Sequence, residues 1–186
     1  MDNGASSYRR FRDNGDESGL VEIIRDYRDG LILYLTSIVG SVSTAEDLAE
    51  DTFVLIGTKK PKDKSKSSFK TWLYTIGRNI AIDYLRKSKK RNEAPLDEAY
   101  ELTQDECDLE TAYIREEQKI TIHHALRELK PEYRQIIWLR YFEQLSMKEA
   151  AVILKKSVHS TEVLASRARQ ALRAQLEKEG ISNEGL

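Results

Sequence analysis

Apolar residues recur along this chain at intervals of three and four, and nowhere alternate with polar ones for long enough to make a strand. The chain is therefore expected to be all-α. Leu20, Ile24, Tyr27, Leu31, Leu35 and Ile38 define a helix from about Ser18, interrupted only by Gly30. Ala45, Leu48, Thr52 and Leu55 share a face of the next, which Thr44 with Asp47, or Ser43 with Glu46, can cap. In "FKTWLYTIGRNIAIDYLRKSKKR", residues 69–91, the apolar stripe is Leu73, Ile76, Ile80, Ala81, Tyr84 and Leu85, with Ser68 as the cap. Ile120, Ala125, Leu126 and Leu129 make a short helix that stops at the Lys130–Pro131 step. Pro131 suits the first turn of a helix carrying Tyr133, Ile136, Ile137, Leu139 and Tyr141. Two more patterns, Met147 to about Leu154 and His159 to about Leu176, close the chain.

The net charge of -1 hides a sorted distribution. Lys59, Lys60, Lys62, Lys64, Lys66 and Lys70 cluster against Asp63 alone, and Arg86, Lys87, Lys89, Lys90 and Arg91 follow. Residues 92–118 are acidic, with Arg115 as a lone arginine and weak periodicity. Such sorting suits two basic working surfaces separated by an acidic linker, although each block alone is equally a solvated run. The expected organisation is a polar tail over 1–17, a helical bundle over 18–91, a linker over 92–118, a second bundle over 119–177 and a short tail over 178–186.

Other classes are disfavoured. No apolar run approaches the roughly 20 residues of a membrane span, and "MDNGASSYRRFRDNGDES" lacks the apolar heart of a signal peptide, which points to the cytoplasm. Cys107 is the single cysteine, and the three histidines give no ligand spacing, so neither disulfide, metal nor other cofactor is expected. Glu46, Asp47 and Asp51 could be imagined as metal-binding carboxylates of an enzyme, but no matching histidine or second acidic cluster accompanies them.

Three stretches could carry function. "LSMKEAAVILKKSVHSTEVLASRARQALR" reads as helix, tight turn and second helix, with Ala151, Leu154, Val158, Leu164 and Ala168 as the crossing core. In a helix-turn-helix, His159, Ser160, Glu162, Val163, Ser166 and Arg167 would face the major groove, Arg167 being the best grip on guanine or phosphate. The bland alternative is a plain helical hairpin. On the 69–91 helix, Lys70, Tyr74, Arg78, Asn79, Asp83 and Arg86 lie off the apolar stripe. Trp72 and Tyr74 offer flat faces for unpaired bases, and Asn79 and Asp83, four apart, share a face that can reach base edges. Alternatively the two aromatics cover a small core, and Asp83 pairs with Arg86 or Lys87. Finally, "AEDLAEDTF" puts Glu46, Asp47, Glu50 and Asp51 on a helix that also carries Phe53, a surface for a protein or merely a soluble one.

In this order the three stretches resemble the sigma-70 family of transcription initiation factors, in its small extracytoplasmic-function group. "AEDLAEDTFVLI" resembles region 2.2, which implies contact of Asp47, Glu50, Asp51 and Phe53 with the clamp coiled coil of core RNA polymerase. The 69–91 helix resembles regions 2.3 and 2.4, which implies that Lys70, Trp72, Tyr74, Arg78, Asn79, Asp83 and Arg86 meet the opened −10 element, beside the loop 57–68. "LKPEYRQIIWLRYFEQLSMKEAAVILKKSVHSTEVLASRARQALR" resembles region 4, which implies that Lys155, Lys156, His159, Ser160, Glu162, Val163, Ser166 and Arg167 meet the −35 element. Lys155 and Lys156 stand where the family turn has a small glycine and an aliphatic residue, and Glu162 where it often has a base. The resemblance implies a non-catalytic bacterial promoter-recognition factor. Its partners would be core polymerase (clamp coiled coil and flap), promoter DNA and an anti-sigma factor that could hold it at the membrane. The competing reading is a stand-alone helix-turn-helix regulator, which would footprint DNA without polymerase.

Overall fold

The computed structural model describes residues 3–61, 67–91 and 124–178, and contains no strand among them. The first unit comprises α1 (Asn3–Asn14), α2 (Glu17–Val39), α3 (Val42–Lys59) and α4 (Phe69–Arg91). The second comprises a helical turn at 124–127, α5 (Pro131–Ile137), a π-helical turn (Trp138–Phe142), α6 (Met147–Leu154) and α7 (Val158–Lys178). The acidic linker expected over 92–118, residues 119–123 and the tail 179–186 lie outside the described residues.

Local chemistry sets the boundaries. α2 stops at Gly40, whose φ of 82° is left-handed and whose N–H closes on Thr36 O. The next residue, Ser41, is extended, and its hydroxyl accepts from Thr44 N, so the cap of α3 falls earlier than Ser43 or Thr44. Ser68 caps α4 as expected, with Thr71 N donating to its Oγ at 3.3 Å. Lys130 and Pro131 open α5.

Residues 3–14 are helical, which corrects the expectation of a polar tail. Tyr8 and Phe11, three apart on α1, are both buried. The Tyr8 ring lies 5.6 Å from Phe69 and 5.0 Å from Trp72, and its hydroxyl donates to Pro61 O at 2.7 Å. Ser7 and Arg10 both donate to Glu22 of α2. These hydrogen bonds hold the Glu22 carboxyl below its usual range, that from Ser7 contributing most.

The heart of the first unit is the underside of α4. Phe69, Leu73, Tyr74 and Ala81 are buried against α2 and α3. At Gly77 the three helices converge: a Cβ there would stand 2.9 Å from Leu31 Cδ1, 3.5 Å from Thr52 Oγ1 and 3.6 Å from Leu35 Cδ2. Thr52 lies inside this contact because its hydroxyl donates back to Leu48 O at 2.8 Å. The second unit buries Ile136, Leu139, Ala150, Ile153, Leu154, Leu164 and Ala168. Val158, expected in that core, is instead exposed at the first residue of α7. The two units pack together, with α5, the π turn and α6 against α2 and α4, and their apolar residues form one continuous buried cluster.

Gly77→Val inserts a branched side chain where no room exists and should destabilise the first unit by about 1–3 kcal/mol, the usual cost of overpacking. Urea unfolding followed by circular dichroism measures it, and an unchanged midpoint would contradict the convergence of α2, α3 and α4.

Candidate nucleic-acid interface

Once α4 is locked by its underside, 100° per residue fixes what faces out. Trp72, Asn79, Asp83, Arg86 and Lys90 follow at helical spacing along one stripe. Asp83 and Arg86 are exposed and 3.4 Å apart, a weak surface pair. Asn79 is half-buried, and Lys87, Lys89 and Lys90 are exposed beyond it. This outer stripe can offer amide, carboxylate and guanidinium groups to a polar ligand at once.

The upper part of α4 departs from the expectation. Tyr74 is only 1% exposed, so it belongs to the core and presents no free face for a base. Its ring stacks on Tyr34 at 5.4 Å, and burial, reinforced by the adjacent Glu143 carboxylate, pushes its hydroxyl pKa up. Trp72 is half-covered, 5.0 Å from Tyr8 and 5.4 Å from Phe69. Arg78 is half-buried, with its guanidinium facing the buried Tyr34 hydroxyl. Lys70 is drawn aside: its Nζ lies 2.5 Å from Glu143 Oε2 and donates to Glu143 O at 3.0 Å. Asn79, Asp83 and Arg86 thus remain as the accessible cluster, and the other four are tied to the fold.

On α3, Glu46, Asp47, Glu50 and Asp51 are all exposed. Phe53 is not, being 7% exposed inside the bundle, which corrects its placement on the acidic surface. Its place is taken by Val54, 53% exposed; Val42 at the start of α3 and Leu33 of α2 are exposed as well. Sequence reasoning passed over Val54, though its spacing of three and seven from Asp51 and Asp47 already put it on their face. Carboxylates around bare valine suit a protein partner with basic and apolar groups better than they suit DNA.

The helix-turn-helix is built from complementary caps. Ser146 Oγ accepts from Glu149 N while Glu149 Oε2 accepts from Ser146 N, closing a capping box at the start of α6. Lys155, at φ 55°, makes the left-handed turn that usually falls to glycine. Ser157 then caps α7 by accepting from Ser160 N at 3.1 Å. Ala150, Ala151 and Leu154 cross against Thr161, Leu164, Ala165 and Ala168, all buried. His159, Ser160, Glu162, Val163 and Arg167 are exposed, Ser166 is half-buried, and Lys155 and Lys156 are exposed at the turn. Lys156 Nζ lies 3.8 Å from Glu132 across a groove also lined by Lys130, His159, Val163 and Arg167. Of the eight expected residues, Lys156, His159, Ser160, Val163 and Arg167 line this groove, and Lys155, Glu162 and Ser166 lie outside it.

The units meet through Glu149 and Glu143. Ser68 Oγ donates to Glu149 Oε1 at 2.7 Å, and Thr71 Oγ1 to the same oxygen at 3.3 Å. Burial works to raise the Glu149 pKa, but bonds from Ser146, Ser68 and Thr71 outweigh it and leave it lowered. Among the described residues no cluster of three His, Cys, Asp or Glu side chains could hold a metal, and no helix is long and apolar enough to cross a membrane.

Residues 23–91 match the model of sigma-70 region 2, and residues 119–172 match that of sigma-70 region 4. The chain is 31% identical to the extracytoplasmic-function RNA polymerase sigma factor SigM of Bacillus subtilis, over 88% of this chain and 98% of that one. It is 29% identical to SigW of the same organism, over 87% of this chain and 91% of that one. Two solved structures share the fold. One is the sigma factor RpoE of Bartonella quintana in complex with the anti-sigma factor NepR, with a TM-score of 0.67 at 23% identity over 84% of this chain and 95% of that one. The other is CnrH in complex with the cytosolic domain of CnrY, with a TM-score of 0.62 at 20% identity over 95% of this chain and 96% of that one.

Because the folded Glu149 pKa is lowered, its contribution is present above the unfolded value and is lost as pH falls through the folded one. Stability measured in urea should therefore drop more steeply on acidification for the native chain than for Glu149→Gln, and the two curves should converge at low pH. Parallel curves would contradict this role.

Proposed function

Because the chain belongs to the extracytoplasmic-function group of the sigma-70 family, we propose that it binds core RNA polymerase and directs it to promoters by reading a −35 and a −10 element. The supporting observation is the outer stripe of α4, where Asn79, Asp83 and Arg86 stand accessible over a rigid underside and run into a cationic end. In a closed duplex the base edges that an amide and a carboxylate would bond are already paired. In a separated strand they are free, and Asn79 and Asp83 can hold them while Arg86 and the lysines neutralise phosphates. Trp72 stands at the head of the stripe, with one face against Tyr8 and the rest half-open. A base stacked on its open part contributes on the order of 1–3 kcal/mol toward opening. Tyr74 and Arg78 support this surface from within the fold, and Lys70 is held by Glu143 at its head.

The −35 element is read as duplex by the exposed edge of α7. Arg167 forks onto guanine or phosphate, Val163 and Ser166 meet base edges, and His159, Ser160, Lys155 and Lys156 hold the backbone. Glu162 suits a cytosine amino group. Asp47, Glu50 and Asp51, around Val54, take the clamp coiled coil of polymerase, and the second unit takes the flap. The work is that of a specificity factor and not of a catalyst, done where polymerase is, in the cytoplasm. The fold shared with two factors solved with anti-sigma partners supports control by a protein of that kind.

The test is transcription in vitro by purified core polymerase on a library of random upstream sequence, with and without this protein. Transcripts starting downstream of a common two-part sequence are expected, and none above core alone would overturn the proposal. Asn79→Ala with Asp83→Ala should lower strand opening, read by permanganate reactivity of thymines, at least tenfold, with core affinity unchanged. Arg167→Ala should cost about 1–3 kcal/mol and relax preference at one −35 position. Asp47→Lys with Val54→Asp should instead weaken core binding itself.

A further inference from the structure

We infer that Tyr8 is a positioning residue for the strand-holding surface: through it α1 fixes the open face of Trp72 relative to the end of α3, and the head of α4 is incomplete without that helix. The inference rests on the reading of α4 as the helix that holds an opened −10 strand, and adds a residue to it.

α1 precedes residues 23–91, so the match to sigma-70 region 2 assigns it nothing. Its seating is nonetheless close. A Cβ at Gly19 of α2 would stand 2.3 Å from Ser7 O, so the two backbones meet there with no side chain between them. A Cβ at Gly4 would stand 2.5 Å from Phe69 Cδ1 and 2.5 Å from the Tyr27 hydroxyl, so the start of α1 lies directly on the first residue of α4. Together with the bonds from Ser7 and Arg10 to Glu22, these contacts give α1 a single register on α2.

From that register the two buried aromatics of α1 reach both ends of the segment that joins α3 to α4. Phe11 takes one end, with Lys60 Nζ standing 4.4 Å from its ring centroid. Lys60 has a left-handed φ of 42°, uncommon for a residue with a side chain, and the contact helps to hold it there. Tyr8 takes both ends at once: its hydroxyl donates to Pro61 O at 2.7 Å while its ring packs on Phe69 and Trp72. Any apolar side chain of similar size could cover this core, so the hydroxyl marks a second task. Trp72 is covered on this side by Tyr8 and Phe69, and the rest of its ring is half-open. An indole ordered before a base arrives loses little rotamer freedom when the base stacks on it, which is how preorganisation strengthens binding. Without Tyr8 the same contact would have to order the indole first.

The test uses the full chain with core polymerase on a promoter recovered from the random library. Tyr8→Leu keeps apolar bulk in the core but neither the flat ring nor the hydroxyl. It should lower strand opening, read by permanganate reactivity of thymines, at least fivefold. Binding of the same complex to a duplex carrying only the −35 element should stay within twofold, and far-ultraviolet circular dichroism of the free chain should be unchanged. Tyr8→Phe returns the ring and should recover most of the opening. In a Trp72→Ala background Tyr8→Leu should cost little more, because a residue that acts through another is silent once that other is gone. Opening by Tyr8→Leu equal to native, an equal loss in both assays, or a full further loss in the Trp72→Ala background would overturn the inference while leaving the proposed function standing. If the native chain with polymerase opens no strand at all, both fall.

Discussion

The absence of a side chain at Gly77 fixes the rest of the first unit. Leu31 and Leu35 of α2 and Thr52 of α3 close on the same few ångströms of α4, so α4 can neither slide nor roll. A roll of one residue would turn the outer stripe by about 100°. Asn79, Asp83 and Arg86 would then face the bundle instead of solvent. The polar chemistry of α4 is therefore specified from beneath, by apolar contacts that never meet a ligand. Tyr8 and Phe69 continue the same brace to the head of the helix, where they set the plane of Trp72.

Acidic groups have two opposite uses in this molecule. On α3 they stand out from the surface around Val54, where their charge can steer a partner and the valine can be buried by it. Glu143 and Glu149 turn inward and meet a cation and two hydroxyls of the same chain. The net charge of -1 is blind to that division. Position decides it: Glu149 is an N3 residue obliged to bend back to Ser146, which leaves its second oxygen directed at α4.

Much of this was legible in the residues. Period and capping chemistry are local, so α6 from Met147 to Leu154, the Ser68 cap and the Lys130–Pro131 step follow from a few neighbours in sequence. The order of helices in two units followed too, as did the exposed edge of α7. What escaped depends on contacts between distant segments. One apolar stripe assigns α4 one buried side and leaves Tyr74 and Arg78 off it, yet Tyr74 stacks on Tyr34 of α2, Arg78 faces the same tyrosine, and α6 packs on α4 as well. Phe53 follows four acids, but only the packing of α3 shows that it turns inward. The helix at 3–14 is hidden by its polar composition, and its signal was the pair Tyr8 and Phe11, three apart, waiting for Phe69 and Trp72. The π turn has no period of its own to find.

The account stands on the claim that the outer stripe of α4 touches a strand that has left the duplex. A photo-crosslinking residue at position 79, in the full chain bound to core polymerase on promoter DNA, tests this at the atoms concerned. The account predicts a crosslink to the uncopied strand within the −10 element, appearing only with polymerase and only under conditions that open the duplex. A crosslink of equal strength to closed duplex, or to the copied strand, would contradict it.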